Sequence, residues 1–281
     1  MLIGPGLHCD LAGPFADGRV GDLAVIGTAL PFDEIFLAYM DHYLKGSAPP
    51  ALPPYRFYVL SEDVWRDAKT WPPEGAVKVS FALWGDRLSA DGTGEGSRSF
   101  TSDPAHPVPS LGGAICCTGD PSTRAGPIDQ APIEGRPDVL GYTSAPLAAP
   151  FRIAGPIAAH LTVSADVPDT DLVLTLTDVD PNGRSIMIQT GALRLRYRDG
   201  FADPKLMVPG RPVAVTVSLR DIAWLVKPGH RLRLDIAGSS FPRLARNMNG
   251  GSGDPHREAV AHRARITIGA PSVLELYRLP G

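Results

Sequence analysis

Cysteine is scarce. Cys9, Cys116 and Cys117 are the three in 281 residues, an odd number without framework spacing. That excludes a disulfide scaffold and fits a reducing compartment. Cys116-Cys117 reads as two ordinary thiols rather than a strained vicinal bridge, because small buried cysteine is common. No charge of one sign dominates. The formal net charge is -3, so no basic field points to nucleic acid and no acidic tail points to disorder. Met1 to His8 carries neither a basic start nor an apolar run, which argues against a secretory leader. No stretch approaches the roughly 20 apolar residues that span a bilayer. A soluble, cytoplasmic protein without membrane or nucleic-acid partners is the expectation. The abrupt start also allows the chain to be the downstream part of a longer protein.

Helix is nearly lacking too. The one clear helix covers 31–46. Pro31 opens it, Asp33 and Glu34 suit its positive end, and Gly46 suits a left-handed stop. Ile35, Phe36, Tyr39, Met40, Tyr43 and Leu44 form an apolar stripe at three- and four-residue spacing. Before it, residues 1–30 are loop-like. After it, Ala48 to Pro54 is a proline-rich connector that cannot continue a helix, and a domain boundary is placed there. The domains are 1–48 and 55–281.

What the chain does have is glycine, 30 residues, and proline, 29 residues, punctuating short alternating strands. Tyr55–Leu60, Val77–Leu83, Val139–Thr143, Phe151–Val163, Leu172–Asp178, Ser185–Gln189 and Val213–Leu219 read this way. Arg231 to Ile236, after the Pro228-Gly229 turn, is the strand around which the rest is organised, and Phe241 is expected to pin the irregular segment behind it. Ala264–Ile268 and Val273–Leu276 close the pattern. Asp180-Pro-Asn-Gly183 is a hairpin turn. Residues 85–135 form a long turn-rich excursion. Strands at intervals of about ten residues indicate a mainly β fold, a β-sandwich or jelly roll.

Candidate chemistry is sparse. Arg194, Arg196 and Arg198 alternate with Leu193, Leu195 and Tyr197, placing three guanidiniums on one sheet face. That row is either a solvated face paired with acids or an anion groove. Asp171, Asp178 and Asp180 read as turn chemistry rather than a calcium loop. His230 reads as structural. His8, Cys9 and Asp10 cannot all turn to one metal, since neighbours on an extended chain point apart. His8 alone sits in a Gly-Pro-Gly turn, where it is either an ordinary loop histidine or a general base presented above a sheet. A histidine base needs a nucleophile and an orienting acid, and no Gly-x-Ser-x-Gly elbow occurs in the 281 residues.

Several motifs together resemble one family. Ile3-Gly-Pro-Gly-Leu-His8 resembles the catalytic-histidine loop of the cocaine esterase and X-Pro dipeptidyl-peptidase (CocE/NonD) hydrolases, with Gly6 where tryptophan is usual. Phe36 to Gly46 resembles the last helix of their α/β-hydrolase domain. Trp71-Pro72, Asp103-Pro104, Pro107 to Gly113, Arg136 to Leu140, Gly191 to Arg198, Gly229 to Leu234 and Ser239 to Arg243 resemble their C-terminal domain, in order.

The resemblance implies a galactose-binding-like jelly roll over 55–281, preceded by a short C-terminal remnant of an α/β-hydrolase domain, a loop plus one helix, over 1–48. It implies that His8 is the general base of a Ser-His-Asp triad cleaving esters, amides or X-Pro peptides through an acyl-enzyme, with no cofactor and no metal. Because such chains run Ser, Asp, His, the nucleophile and acid belong upstream of His8, and the chain alone is expected to be inactive. Its substrate would be a small ester, amide or peptide, once completed by an N-terminal α/β-hydrolase half. Unpartnered, the 35–44 stripe is expected to stay partly exposed and to favour a homodimer. The alternative is a stand-alone jelly-roll module binding carbohydrate or protein. A third reading has the chain join a separate N-terminal half in trans.

Overall fold

A computed structural model describes residues 1–6, 18–90, 92, 94–115, 123–252 and 257–280. The first strands are β1 (Leu2–Ile3), β2 (Arg19–Val20) and β3 (Leu23–Ala24). Helix α1 (Phe32–Lys45) follows, then β4 (Tyr55–Val59), β5 (Val64–Ala68), β6 (Val77–Trp84), β7 (Arg87–Ser89) and β8 (Ser97–Ser102). A short helix α2 (Ala131–Glu134) precedes β9 (Val139–Thr143), β10 (Phe151–Ala165), β11 (Asp171–Val179) and β12 (Ser185–Arg194). The chain closes with β13 (Val213–Val226), β14 (Arg231–Ala237) and β15 (Ala264–Leu279).

Ten strands make one sheet in the order β12-β11-β14-β9-β7-β6-β15-β10-β13, with β8 also on β15. The sheet folds over on itself until its end strands touch. Gly191 of β12 lies so close to β13 that an added Cβ would stand 2.1 Å from the Ser218 carbonyl oxygen. The result is the expected mainly β jelly-roll sandwich. Period-two alternation builds its interior: Leu172, Leu174 and Leu176 of β11, Leu232, Leu234 and Ile236 of β14, and Ala264 and Ile266 of β15 are completely buried. The hairpin at Asp180 is present as expected. Asp180 Oδ1 accepts from the backbone N–H of Asn182 at 2.7 Å and Arg184 at 3.1 Å.

Helix α1 also forms where its stripe predicts, with Gly46 left-handed at φ 71°. None of its residues is buried, and Phe36, Tyr39, Tyr43 and Leu44 are exposed. A second, three-stranded sheet β1-β4-β5 crosses the proline-rich connector: β1 runs parallel to β4, with Leu2 opposite Arg56 and Ile3 opposite Phe57.

Four sequence readings are corrected. The turn-rich excursion over 85–135 also holds regular elements, β7, β8 and α2. In β8, Ser97–Ser102, polar serines alternate with Arg98 and Phe100, so no apolar run announces a strand. The two final strands are one, β15. Phe241 does not pin its segment by burial, since its ring is exposed and lies under the Arg246 guanidinium. Its backbone does the holding, donating to the Val108 carbonyl at 3.0 Å and accepting from Ser110 N–H at 2.8 Å.

The fourth correction concerns Arg194, Arg196 and Arg198. Strand β12 stops at Arg194, and Leu195–Tyr197 form a 3-10 turn. The arginines therefore share no face, solvated or grooved. Arg194 pairs with Asp171 at 2.8 Å, and buried Arg196 pairs with buried Asp169 at 2.7 Å. Asn247 donates to both acids, at 3.1 and 2.8 Å, so this clasp fastens the 243–252 loop to the sandwich. Arg198 donates instead to backbone carbonyls, including that of Leu195.

A second buried group ties α2 down. Arg233 Nε lies 2.8 Å from Asp235 and 3.4 Å from Glu134. Burial pushes the Asp235 carboxyl well above its ordinary range; Arg233 opposes the rise and Glu134 adds to it.

Two outcomes follow from this packing. Leu234 sits between Leu176 and Tyr142 at the centre of the sheet. Leu234→Asp should cost on the order of 4 kcal/mol or more, by burying an unpaired charge. Urea denaturation or loss of soluble protein reads it, and a variant as stable as the parent contradicts the core assignment. Asp235 holds a proton that the unfolded chain releases near pH 4, so the folded state binds more protons above that pH and stability falls as pH rises. Asp235→Asn, which has no proton to lose, should make that decline shallower between about pH 5 and about pH 8.5 in urea unfolding; an unchanged slope contradicts the buried-acid assignment.

Candidate active-site cleft

The sequence points to the loop around His8, so the site is built from what flanks it. His8, Cys9 and Asp10 lie outside the described residues, as do Cys116 and Cys117. Their flanks are described. Strand β1 delivers Gly4, Pro5 and Gly6 into a cleft of about 430 Å³. The Arg56 N–H donates to the Met1 carbonyl at 2.9 Å and continues the β1–β4 pairing. Gly4 packs on Trp65, whose indole N–H donates to the Gly27 carbonyl at 3.0 Å. The Tyr58 hydroxyl lies between the Ile26 carbonyl and the Asp63 carboxylate. Burial, then that carboxylate, raises the Tyr58 phenol above its ordinary range, so it stays a neutral donor.

On the far side of the loop, the β2–β3 hairpin is clamped to the sandwich by Asp22. Its carboxylate accepts from the Asp129 N–H at 3.0 Å and from the Arg124 guanidinium. Its backbone N–H donates to the Pro127 carbonyl at 2.7 Å, and its carbonyl accepts from Arg184 at 3.0 Å. Burial works against the charge on Asp22, yet the Asp129 amide and Arg124 outweigh it and hold the carboxyl below its ordinary range. Gly21 makes the approach possible. It is left-handed at φ 59°, and a Cβ there would lie 2.5 Å from the Pro127 carbonyl oxygen.

The sandwich supplies the cleft's other wall. Leu60, Ile188, Ile222 and Trp224 line it, and Gln189 is a polar group among them. Leu60 is clipped onto β13 by two backbone bonds, to the Ala223 carbonyl at 3.1 Å and from the Leu225 N–H at 2.9 Å. Among the described lining residues none is Ser, His, Asp or Glu. The described wall is an apolar surface that carries no acid–base group. Among the described residues no His, Cys, Asp or Glu cluster could hold a metal.

The remaining candidates have structural partners. His230 Nδ1 lies 2.7 Å from Asp178, which also accepts from the buried Trp224 indole at 3.0 Å. Burial raises the Asp178 carboxyl, and the bonds from Trp224 and His230 oppose the rise. Asp171 belongs to the arginine clasp and Asp180 to its turn. Sequence reasoning did not reach Asp22, Arg124, Asp129 or Leu60. Asp22 bonds to partners 102, 107 and 162 residues away along the chain, and no local pattern links them.

Comparison with known proteins places this arrangement. Residues 50–274 match the X-Pro dipeptidyl-peptidase C-terminal non-catalytic domain. The chain is 34% identical over 268 residues to cocaine esterase of Rhodococcus sp. (strain MB1 Bresler), covering 89% of this chain and 45% of that one. It thus spans about half the length of that relative. An α-amino acid ester hydrolase superposes with a TM-score of 0.78 at 27% identity, covering 87% of this chain and 44% of that chain. An aminopeptidase from a marine sediment Thaumarchaeota archaeon shares the fold, with a TM-score of 0.83 at 24% identity over 93% of this chain and 46% of that chain. The relatives form a serine hydrolase family with a non-catalytic C-terminal domain, and no described helix is long and apolar enough to cross a membrane. The chain belongs to the X-Pro dipeptidyl-peptidase C-terminal domain family and corresponds to the C-terminal part of a CocE/NonD hydrolase.

Proposed function

We propose that these 281 residues complete a serine hydrolase acting on esters, amides or X-Pro peptides through an acyl-enzyme. His8 is its general base, and the jelly roll is the brace that holds the histidine loop. The observation that carries this reading is the anchoring of the chain on both sides of that loop, by β1 on β4 before it and by the Asp22 clamp after it, with Gly4, Pro5 and Gly6 lining an apolar cleft. In this reading residues 1–48 belong to the catalytic α/β-hydrolase unit and residues 55–281 to the jelly roll. Helix α1 gives the same reading a seat for the missing half. Its exposed Phe36, Tyr39 and Tyr43 face a groove of about 490 Å³ floored by Pro49, Pro50 and Leu52, a surface of the kind that an apolar partner covers.

The chemistry follows from the residue types. A serine on the N-terminal half attacks the acyl carbon while the His8 imidazole takes its proton, then returns it to the leaving alcohol or amine. Water repeats the cycle on the acyl-enzyme. Without the serine there is no covalent route, so the 281 residues alone are inert towards acyl substrates.

The test is active-site labelling. The chain by itself should not react with a fluorophosphonate probe. Joined to a family α/β-hydrolase half bearing Gly-x-Ser-x-x-Gly and a later Asp, it should support labelling and ester hydrolysis, and His8→Ala should then lower kcat on the order of 10⁶-fold. Labelling of a serine within these residues, or full activity of the joined His8→Ala protein, overturns the assignment.

A further inference from the structure

A second pocket, of about 710 Å³, lies on the outer face of the sandwich where β7, β9 and β14 meet. It shares no lining residue with the cleft beside the His8 loop. Its volume is that of an ordinary small-ligand site. Strand register sets its chemistry. Thr143 of β9 is opposite Arg87 on one side and opposite Arg233 on the other. Arg87, Thr143 and Arg233 therefore form one row across three strands spaced roughly 4.8 Å apart. Arg231 lies two residues along β14 from Arg233, hence on the same face.

The three guanidiniums are not equivalent. Arg233 is held by Asp235 at 2.8 Å, points Nη1 at the Thr143 hydroxyl at 3.4 Å, and occupies the space that a side chain at Gly141 would fill. The Glu134 carboxylate lies behind it, 3.4 Å from Nε. Arg231 is oriented by one bond, Nη1 to the Ser144 carbonyl at 2.9 Å. Arg87 lies over the Trp84 ring at 5.8 Å. Among the described residues neither Arg231 nor Arg87 is ion-paired with a carboxylate. Asp86 is the one acid in the lining. The other surfaces are apolar, with Phe81 and Leu88 from the sandwich and Pro146 and Leu147 from the loop after β9.

An arginine fork without a carboxylate matches the oxygens of a carboxylate or phosphate group, which it binds through paired N–H donors. We infer that this pocket binds a small organic anion. The ligand carries one carboxylate or phosphate, held by Arg87 and Arg231, on a body about the size of a monosaccharide that rests on the apolar wall. The inference is independent of the hydrolase reading, because the pocket and the cleft have no residue in common.

Calorimetric titration of the 281-residue chain tests it, with glucuronate and glucose 6-phosphate as the two anionic probes and glucose as the neutral control. Saturable binding of either anion, absent with glucose and weakening as salt rises, is the expected result. Which anion binds separates the carboxylate from the phosphate source. Arg87→Gln and Arg231→Gln, made singly so that each leaves the buried Arg233–Asp235 pair intact, should each weaken binding about tenfold or more. Arg87 is on an exposed hairpin, so its variant remains a test if the other is unstable. Binding of neither anion, equal binding of glucose, or wild-type affinity in the folded variants overturns the inference.

Discussion

The buried carboxylate of Asp178 holds together parts of the chain that are far apart in sequence. One oxygen takes the Trp224 indole N–H and the other faces the His230 ring. The first contact fixes β13 against β11 across the interior. The second fixes the turn that starts β14. A buried acid is costly to desolvate unless its partners are in place, so the contact specifies one arrangement of the three strands. Trp224 then transmits that arrangement outward, because Leu60 is bridged to it and bonded to its neighbours Ala223 and Leu225. Leu60 directly follows β4, and β4 carries β1, from which the histidine loop departs. The strand that leads into the His8 segment is thus tied, through β4 and Leu60, to a core contact more than 150 residues downstream.

The same economy recurs elsewhere in the molecule. Charged side chains here mostly fasten irregular segments to a regular frame. Asp169 and Asp171 take Arg196, Arg194 and Asn247 and so secure the loop after β14. Asp22 takes the Asp129 amide and Arg124 and so secures the β2–β3 hairpin. Glu62 takes Arg152 at 2.7 Å and so secures the bend after β4 to β10. A jelly roll of short strands leaves long connections on its surface, and these ion pairs, several of them partly or wholly buried, give each connection one position. Exposed pairs such as Lys45–Asp41 add little by comparison.

Much of the frame was legible because period-two alternation is a local signal. Leu232, Leu234 and Ile236 against Arg231, Arg233 and Asp235 identify a strand without any knowledge of its neighbours. The helix was legible from its stripe and its Gly46 stop. What escaped depends on partners distant in the chain. Strand β8 has few apolar residues and exists because β15 offers it a free edge. The arginine row failed as a strand because Asp169 draws Arg196 inward and a 3-10 turn replaces the extended chain. At the candidate site, His8 stands out by resemblance alone, while Asp22 and Leu60, which anchor the segments around it, have no sequence signature at all.

The strands leading to His8 are part of the sandwich's own structure and not a tether beside it. Native-state hydrogen exchange tests this most directly, since segments that open together share one opening free energy. The amides of Leu60, Leu225 and the β4 strand should exchange as slowly as those of β13, and lose protection together with it as denaturant is added. Exchange of the β4 and Leu60 amides orders of magnitude faster than β13, at all denaturant concentrations, would contradict the account.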